Sequence, residues 1–454
     1  MRIGAEGKHW PLRCAAFLCG AIFFAPVPAA RAGHPPAETS KYTGPGSCSS
    51  TSCHGSVQPR AGSRIFQNEY SIWVVKDKHA KAYAALTGTV GERMGRILGL
   101  GKSEQAAKCL ACHALDVPAE ARAKTFDLSE GVSCESCHGP ASAWLGPHTT
   151  RTWTHEQSLA AGMYDTRNLI RRTEKCLACH LGTQEQFVDH EMIAAGHPDL
   201  YFELDSFSSV MPRHWKTPRE SAPGVAAENA AWAGVREWGT GQAVQFRASL
   251  DRIAWRARGK NWPEFSELEC FACHHALTAP EQSWRQERGY AGRRPGDPPW
   301  NASRHAVFRE LAHQLDDGAA SRLDEQVARV AKLLGQLNPD REAVATAAAS
   351  ASSTSGQLVA KIESQPYDAA MALRLLQRIT NDADEVSNEG ERAAEQAAMA
   401  LDSLFIAYSH NQSVANAADI RAAINGLFQR LENPSAYNPA DFARQMHKLN
   451  SLLK

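Results

Sequence analysis

No cysteine occurs beyond residue 273, and no apolar run approaches the roughly 18 residues that a membrane helix needs. The first absence confines any cysteine chemistry to the N-terminal two-thirds of the 454 residues. The second leaves no segment to read as a membrane-spanning helix. There is no basic stripe and no phosphate-cradling Gly-rich loop, so neither nucleic acid nor a nucleotide is an expected partner. No general acid–base pair or nucleophile triad stands out. Formal net charge is zero.

The N-terminus carries a basic region (Arg2, Lys8, Arg13), an apolar stretch from Cys14 to Ala25, and Ala30-Arg31-Ala32, an A-x-A cleavage site. This reads as a removable export signal over residues 1–32, with a retained anchor as the alternative. The expected location is periplasmic or otherwise exported. Cys14 and Cys19 leave with the signal, and so do four basic residues against one acid, leaving a small acidic excess.

The ten remaining cysteines form five pairs, each followed at once by histidine. They are Cys48/Cys53 with His54, Cys109/Cys112 with His113, Cys134/Cys137 with His138, Cys176/Cys179 with His180, and Cys270/Cys273 with His274. Four are C-x-x-C-H, the attachment signature of a c-type haem. Cysteines three apart on a helical turn share a face, so both thiols can reach the vinyl groups of one porphyrin. The next histidine is carried beneath the iron as its proximal ligand. The first motif holds four residues between its cysteines, and the extra two are expected to bulge outward. Disulfides would not require a histidine after each pair, nor would zinc ribbons. The expected cofactor is haem c, five copies covalently attached.

Three motifs follow one another so closely that porphyrins are expected to supply much of the core. Asn68 to Leu86 reads as one helix, and Ala226 to Arg258 as a longer one interrupted near Gly239 and Gly241. Arg293 to Pro299 is a natural boundary. Beyond it lie apolar stripes at helical spacing: Leu323, Val327, Val330 and Leu334; Tyr367, Met371, Leu375 and Ile379; Ala394, Leu401, Phe405 and Tyr408; and, from Pro439, Phe442, Met446, Leu449 and Leu453. Ala345 to Ser355 reads as a mobile linker or a weak helix. The expected fold is mainly α: a multihaem domain with little regular sheet over residues 33–292, then a helical bundle over residues 300–454.

A haem with two axial histidines passes electrons, whereas one with an open face can bind and transform a small molecule. His79, His148, His190, His197 and His214 are the candidates for second ligands. His190 and His197, seven residues apart, are expected on one side of a helix, addressing neighbouring haems. His155, His275, His305 and His313 are reserves, and His410 and His447 belong to the bundle. Met163, Met192 and Met211 rank lower, because a thioether ligand would raise the potential.

The stretch from Cys48 to about Trp215 resembles the cytochrome c-554-like multihaem family. The resemblance rests on Asp77-Lys78-His79-Ala80-Lys81-Ala82, on Gly131-Val132-Ser133-Cys134-Glu135-Ser136-Cys137-His138-Gly139-Pro140 with His148 following, and on Ala194-Ala195-Gly196-His197-Pro198. It implies that His148 serves the first haem opposite His54, and that His79 serves the third opposite His138. It also implies one five-coordinate iron, usually at the second site, here that of His113. The chain departs from the family in its widened first motif, its fifth haem site and its C-terminal helices. The expected function is electron relay between redox partners, meaning other cytochromes, redox enzymes or a membrane quinol-linked complex. The rival, drawn from the wider group that includes hydroxylamine oxidoreductase and the pentahaem nitrite reductases, is an enzyme acting on a small nitrogen or sulfur oxyanion at one open haem. The C-x-x-C-K site typical of those nitrite reductases is missing. A third reading is a docking subunit with the bundle as its interface.

Overall fold

The structure is a computed structural model that describes residues 40–63, 65–216, 231–270, 273–274 and 299–454. The signal segment, His275, residues 226–230 and most of the 293–299 boundary lie outside the described residues. Those described belong to one compact unit, Pro36–Lys454. They are mainly helical; pairing of extended chain is limited, among them, to the isolated bridges Tyr42–Arg122 and Leu268–Trp300.

The first half is built from short helices: α1 (Glu69–Lys76), α2 (Ala82–Leu86), α3 (Thr89–Ile97), α4 (Ala107–His113), α5 (Cys134–His138), α6 (His155–Ala160), α7 (Leu169–His180), α8 (His190–Ala194) and α9 (Leu204–Val210). Its own apolar cluster is only Leu86, Leu110 and Ala114, flanked by Tyr83, Cys109 and Leu128. The second half holds α10 (Ala233–Arg258), α11 (Ser303–Ala306), α12 (Phe308–Leu315), α13 (Asp317–Leu334), α14 (Arg341–Ser364), α15 (Ala369–Asn381), α16 (Ala383–Asn388), α17 (Glu391–Asn411), α18 (Ala417–Gln429) and α19 (Pro439–Leu452). Here the stripes read from sequence are buried together, from Leu323 and Val330 to Phe442 and Leu449. α19 starts at Pro439, with Asn438 capping it by accepting from Asp441 N.

Two local expectations are corrected, and a third, left open between linker and helix, is decided for the helix. Asn68 to Leu86 is not one helix. α1 stops at Asp77, which is extended (ψ 129°), and a 3₁₀ turn, Lys78–Lys81, precedes α2. The Asp77 carboxylate accepts from His79 N, so the side chain that ends one helix caps the next turn. α10 runs unbroken through Gly239 and Gly241. These glycines serve close packing: a Cβ on Gly241 would stand 2.6 Å from the Leu204 Cβ, and one on Gly239 would stand 3.2 Å from Leu311 Cδ2. Residues 345–355 lie inside α14, and Ala345, Ala348, Ala351, Ser352 and Ser355 are buried along it. The small residues that weakened the helical signal are what lets α14 lie along α10. Ser352 Oγ donates to Asp251 Oδ1 across that contact, at 2.5 Å.

α10 also packs on α7, α9 and α17, so the last helices of the cysteine-bearing half share the bundle's apolar core. At this joint the Glu203 carboxylate caps α9 and accepts from Ser403 of α17. Asp205 lies beside it. Burial, then the charges of Glu203 and Glu237, push its carboxyl up from 3.8 to about 8. A raised carboxyl contributes stability fully present below its unfolded pKa and lost as pH rises through its folded one. The joint should therefore weaken between about pH 4 and pH 8. Asp205→Asn should remove much of that decline, an effect of up to about 5 kcal/mol. Melting temperatures of both proteins across this range test it, and unchanged slopes would refute the assignment.

Candidate functional site

The third motif is the most tightly anchored. Glu135, inside Cys134–His138, is 2% exposed. Its carboxylate accepts from Thr43 N (2.9 Å), Gly44 N (2.7 Å) and Ala141 N (2.7 Å), tying the chain before the first motif to the chain after the third. Gly131 (φ +71°) brings Val132 N to the His79 carbonyl at 3.1 Å; a Cβ on Gly131 would stand 2.9 Å from that oxygen.

In the widened first motif Ser50, Thr51 and Ser52 are exposed while His54 N still bonds Cys48 O (3.2 Å). The insertion bulges outward, as the spacing suggested. Cys53 departs from the expectation that paired cysteines share one face of a helix. The pairs of α4, α5 and α7 do so, each lying within a single helix. Cys48 instead ends a 3₁₀ turn, Pro45–Cys48, and Cys53 stands in a separate turn closed by Cys53 N on Ser50 O at 2.8 Å. The two extra residues are the cause, because they end the first turn before the second cysteine is reached. The Cys53 thiol is half-buried with Ser52 Oγ 3.8 Å from its sulfur, whereas the Cys48 thiol is turned toward Cys134 of the third motif.

The motif histidines are set against other histidines. His54 and His148 have ring centres 6.2 Å apart with planes at 4°. His113 and His197 stand 6.2 Å apart at 89°. His180 and His79 stand 6.2 Å apart at 88°, and His274 and His190 stand 6.1 Å apart at 33°. Two iron–nitrogen bonds of about 2 Å, each extended by roughly 1.1 Å to the ring centre, would place axial imidazoles about 6.2 Å apart. The residues therefore fit haem irons in both number of ligands and separation. His214 neighbours the remaining motif histidine, His138. Burial, and then the charges of His214 and His54, bring the His138 imidazole down to about 4. Burial and His79 do the same to His180, also to about 4. Both stay neutral at ordinary pH, the form that ligates a metal.

The other ring nitrogen is committed in most of these histidines. Nδ1 of His54 meets Glu69 Oε2 at 2.8 Å, and Nδ1 of His79 meets Asp77 Oδ1 at 3.0 Å. His113 uses Ala82 O (2.9 Å), His148 uses Leu145 O (2.7 Å), His197 uses Pro198 O (2.7 Å) and His214 uses Pro212 O (3.1 Å). Such partners fix ring orientation and leave Nε2 for the iron. Burial opposes ionisation of Glu69 and Asp77, but the hydrogen bonds from their histidines hold both carboxyls below the usual range.

The pairing differs from that implied by the resemblance at one point: His79 faces His180 of the fourth motif, and His214 is the neighbour of His138. The break at Asp77 is the cause, since it re-aims His79. His190 and His197 face two different motif histidines, His274 and His113, but not from one helical face, because α8 ends at Ala194 and the chain turns at Gly196 (φ +113°). Among the described residues, three of the reserve histidines have other partners: His155 meets Asp165 at 3.2 Å, His305 lies near Asp324, and His313 bridges Asp317 and Asp324.

The described cysteines, Cys53 among them, form no disulfides with one another. Among the described residues no group of three or more His, Cys, Asp or Glu converges as a bare metal site would require. The thiols also order the sites in space. The Cys48 thiol lies close to that of Cys134, the Cys112 thiol close to that of Cys179, and Cys137 lies within electrostatic reach of Cys176 and Cys179. Lys108, beside Cys109, pairs with Asp189, beside His190, at 2.6 Å. The sites thus follow one another as first, third, fourth, second and fifth.

Residues 47–139, spanning the first three motifs, match the family model of cytochrome c554 and c-prime. The similarity covers that stretch alone. No curated protein and no solved structure matches the chain. A cytochrome c segment implies covalently bound haem c and electron transfer. The fourth and fifth motifs and the bundle lie beyond the matched cytochrome c554 segment. Among the described residues no helix is long and apolar enough to cross a membrane.

Proposed function

We propose that the protein is a pentahaem c-type cytochrome that relays electrons between redox partners in the periplasm. One observation carries this reading: each motif histidine has a second histidine beside it, four of them with ring centres 6.1 or 6.2 Å away. A haem iron held by two histidines changes oxidation state without offering a coordination site to substrate. The chain's part is to hold Nε2 of each pair in line, to keep buried imidazoles such as His138 and His180 neutral, and to set neighbouring sites close together. Its partners would be other cytochromes, redox enzymes or a membrane quinol-linked complex.

An enzyme acting on a nitrogen or sulfur oxyanion would need one open iron. His113 is the place the family suggests, and there His197 stands opposite. Protein purified from a haem-competent, exporting host should carry five covalent haems by intact mass. Oxidised, it should be low-spin throughout and unresponsive to nitrite or hydroxylamine. A high-spin signal that shifts on adding either ligand would reverse the choice between relay and enzyme.

A further inference from the structure

Where the fifth motif meets the bundle, four arginines gather among the carboxylates of Glu267, Asp199, Glu269 and Glu391, and one of the four is left without an ion pair. Arg252 and Arg256 share the buried carboxylate of Glu267, at 2.7 and 2.6 Å. Arg392, from α17, pairs with Asp199 at 2.5 Å and sets Nη2 at 3.0 Å from Cys270 Sγ. The fourth, Arg304 of α11, has no such partner. It is 8% exposed, donates through Nη2 to the Leu200 carbonyl at 3.1 Å, and leaves Nε without an acceptor. Among the described residues no carboxylate lies within ion-pair distance of it. Arg304, Arg252 and Arg392 line one small cavity together with Asp199, Ser266 and Asn301. Burial, then the charge of Arg252, bring the Arg304 guanidinium down to about 9.

A buried cation without a counter-ion is costly, and an arginine fork is shaped to receive a carboxylate or a similar oxyanion. The cavity adjoins the fifth motif. On its wall Arg392 also reaches Cys270 Sγ, Ser266 lies four residues before Cys270, and Val188 lies two residues before His190. Every haem c brings two carboxylates of its own.

We propose that this cavity is a carboxylate-binding site, and that its occupant is a propionate of the haem attached at Cys270 and Cys273. The inference rests on the five-haem reading. It also gives the bundle a part in the redox site, since Arg304 and Arg392 are supplied by α11 and α17. The positive charge beside the propionate would favour the reduced haem and raise the potential of that one site.

Intact mass of the wild-type protein comes first, and fewer than five haems would overturn the underlying reading before any variant is made. With five present, redox titrations compare the full haem-loaded protein with Arg304→Gln and Arg304→Lys. The expected result is one of five midpoints moved downward in Arg304→Gln and restored toward wild type in Arg304→Lys. No shift in Arg304→Gln would overturn the proposal. A wild-type midpoint that responds to added nitrite or sulfate, with the response lost in Arg304→Gln, would make a free oxyanion the occupant and overturn the propionate assignment. A second measurement needs no substitution: infrared spectra of wild-type protein carrying haem ¹³C-labelled at its propionates. One labelled carboxylate should stay ionised at mildly acidic pH where the others protonate, and protonation of all of them together would count against the site.

Discussion

Made where haem cannot be attached, the chain should lose the fold of residues 40–180 while its C-terminal helices remain. The two halves differ in what fills them. The bundle buries a continuous apolar core reaching from Trp238 and Phe246 to Phe442 and Leu449, without help from any cofactor. The first half has one cluster of three buried side chains, scattered buried residues such as Trp73 and Trp144, and helices mostly too short to persist alone. Its histidine pairs stand apart at the width of an iron, so direct contact between their rings does not hold the segments that carry them together. Hydrogen exchange of the haem-free chain should show protected amides in α13–α19 and essentially none in α1–α5. Protection throughout α1–α5 would refute the idea that porphyrin is the missing core.

Replacing His79 by alanine should open the fourth site and leave the third closed. Ring geometry makes this readable. Axial imidazoles with perpendicular planes give a far more anisotropic low-spin resonance than parallel ones. The His180–His79 and His113–His197 pairs, at 88° and 89°, belong to the first kind, and His54–His148, at 4°, to the second. His79→Ala should abolish one of two strongly anisotropic signals and yield one high-spin haem per molecule, with the parallel-plane signal untouched. His214→Ala should open a haem while sparing both anisotropic signals. If His79→Ala spares both of them, the facing of His79 and His180 does not survive haem binding.

The cysteine and histidine motifs were legible because each is written locally, in a five- to seven-residue word, whereas the histidines that face them lie far away in sequence. The helical stripes of the bundle were legible for the same reason: burial repeats at the helical period. What the sequence concealed depends on contacts between distant segments. The partner of His79 is decided by a helix break at Asp77, a residue equally compatible with a helix surface until its carboxylate is seen capping His79 N. Gly239 and Gly241 look like interruptions until Leu204 and Leu311 are placed against them. The alanines and serines of α14 carry no amphipathic signal, because a face made for close approach needs small side chains more than apolar ones. The arginine cavity was invisible in sequence, since its members come from α10, α11, α17 and the segment before α9.

The spatial order of the sites also bears on how such a chain is made. A polypeptide is synthesised from its N-terminus, so the first motif is ready for modification long before His148 exists to close it. The second motif must likewise await His197, and His190 must await His274. The neighbour of the first site in space is the third, not the second. Attachment can therefore proceed motif by motif, whereas closure of the irons is a late and collective event. Until the last motif and the helices behind it have emerged, the maturing chain would carry bound haems with exposed faces. A cell producing it has to shield those faces during the interval, and a truncated chain should accumulate haems that react with ligands the finished protein ignores.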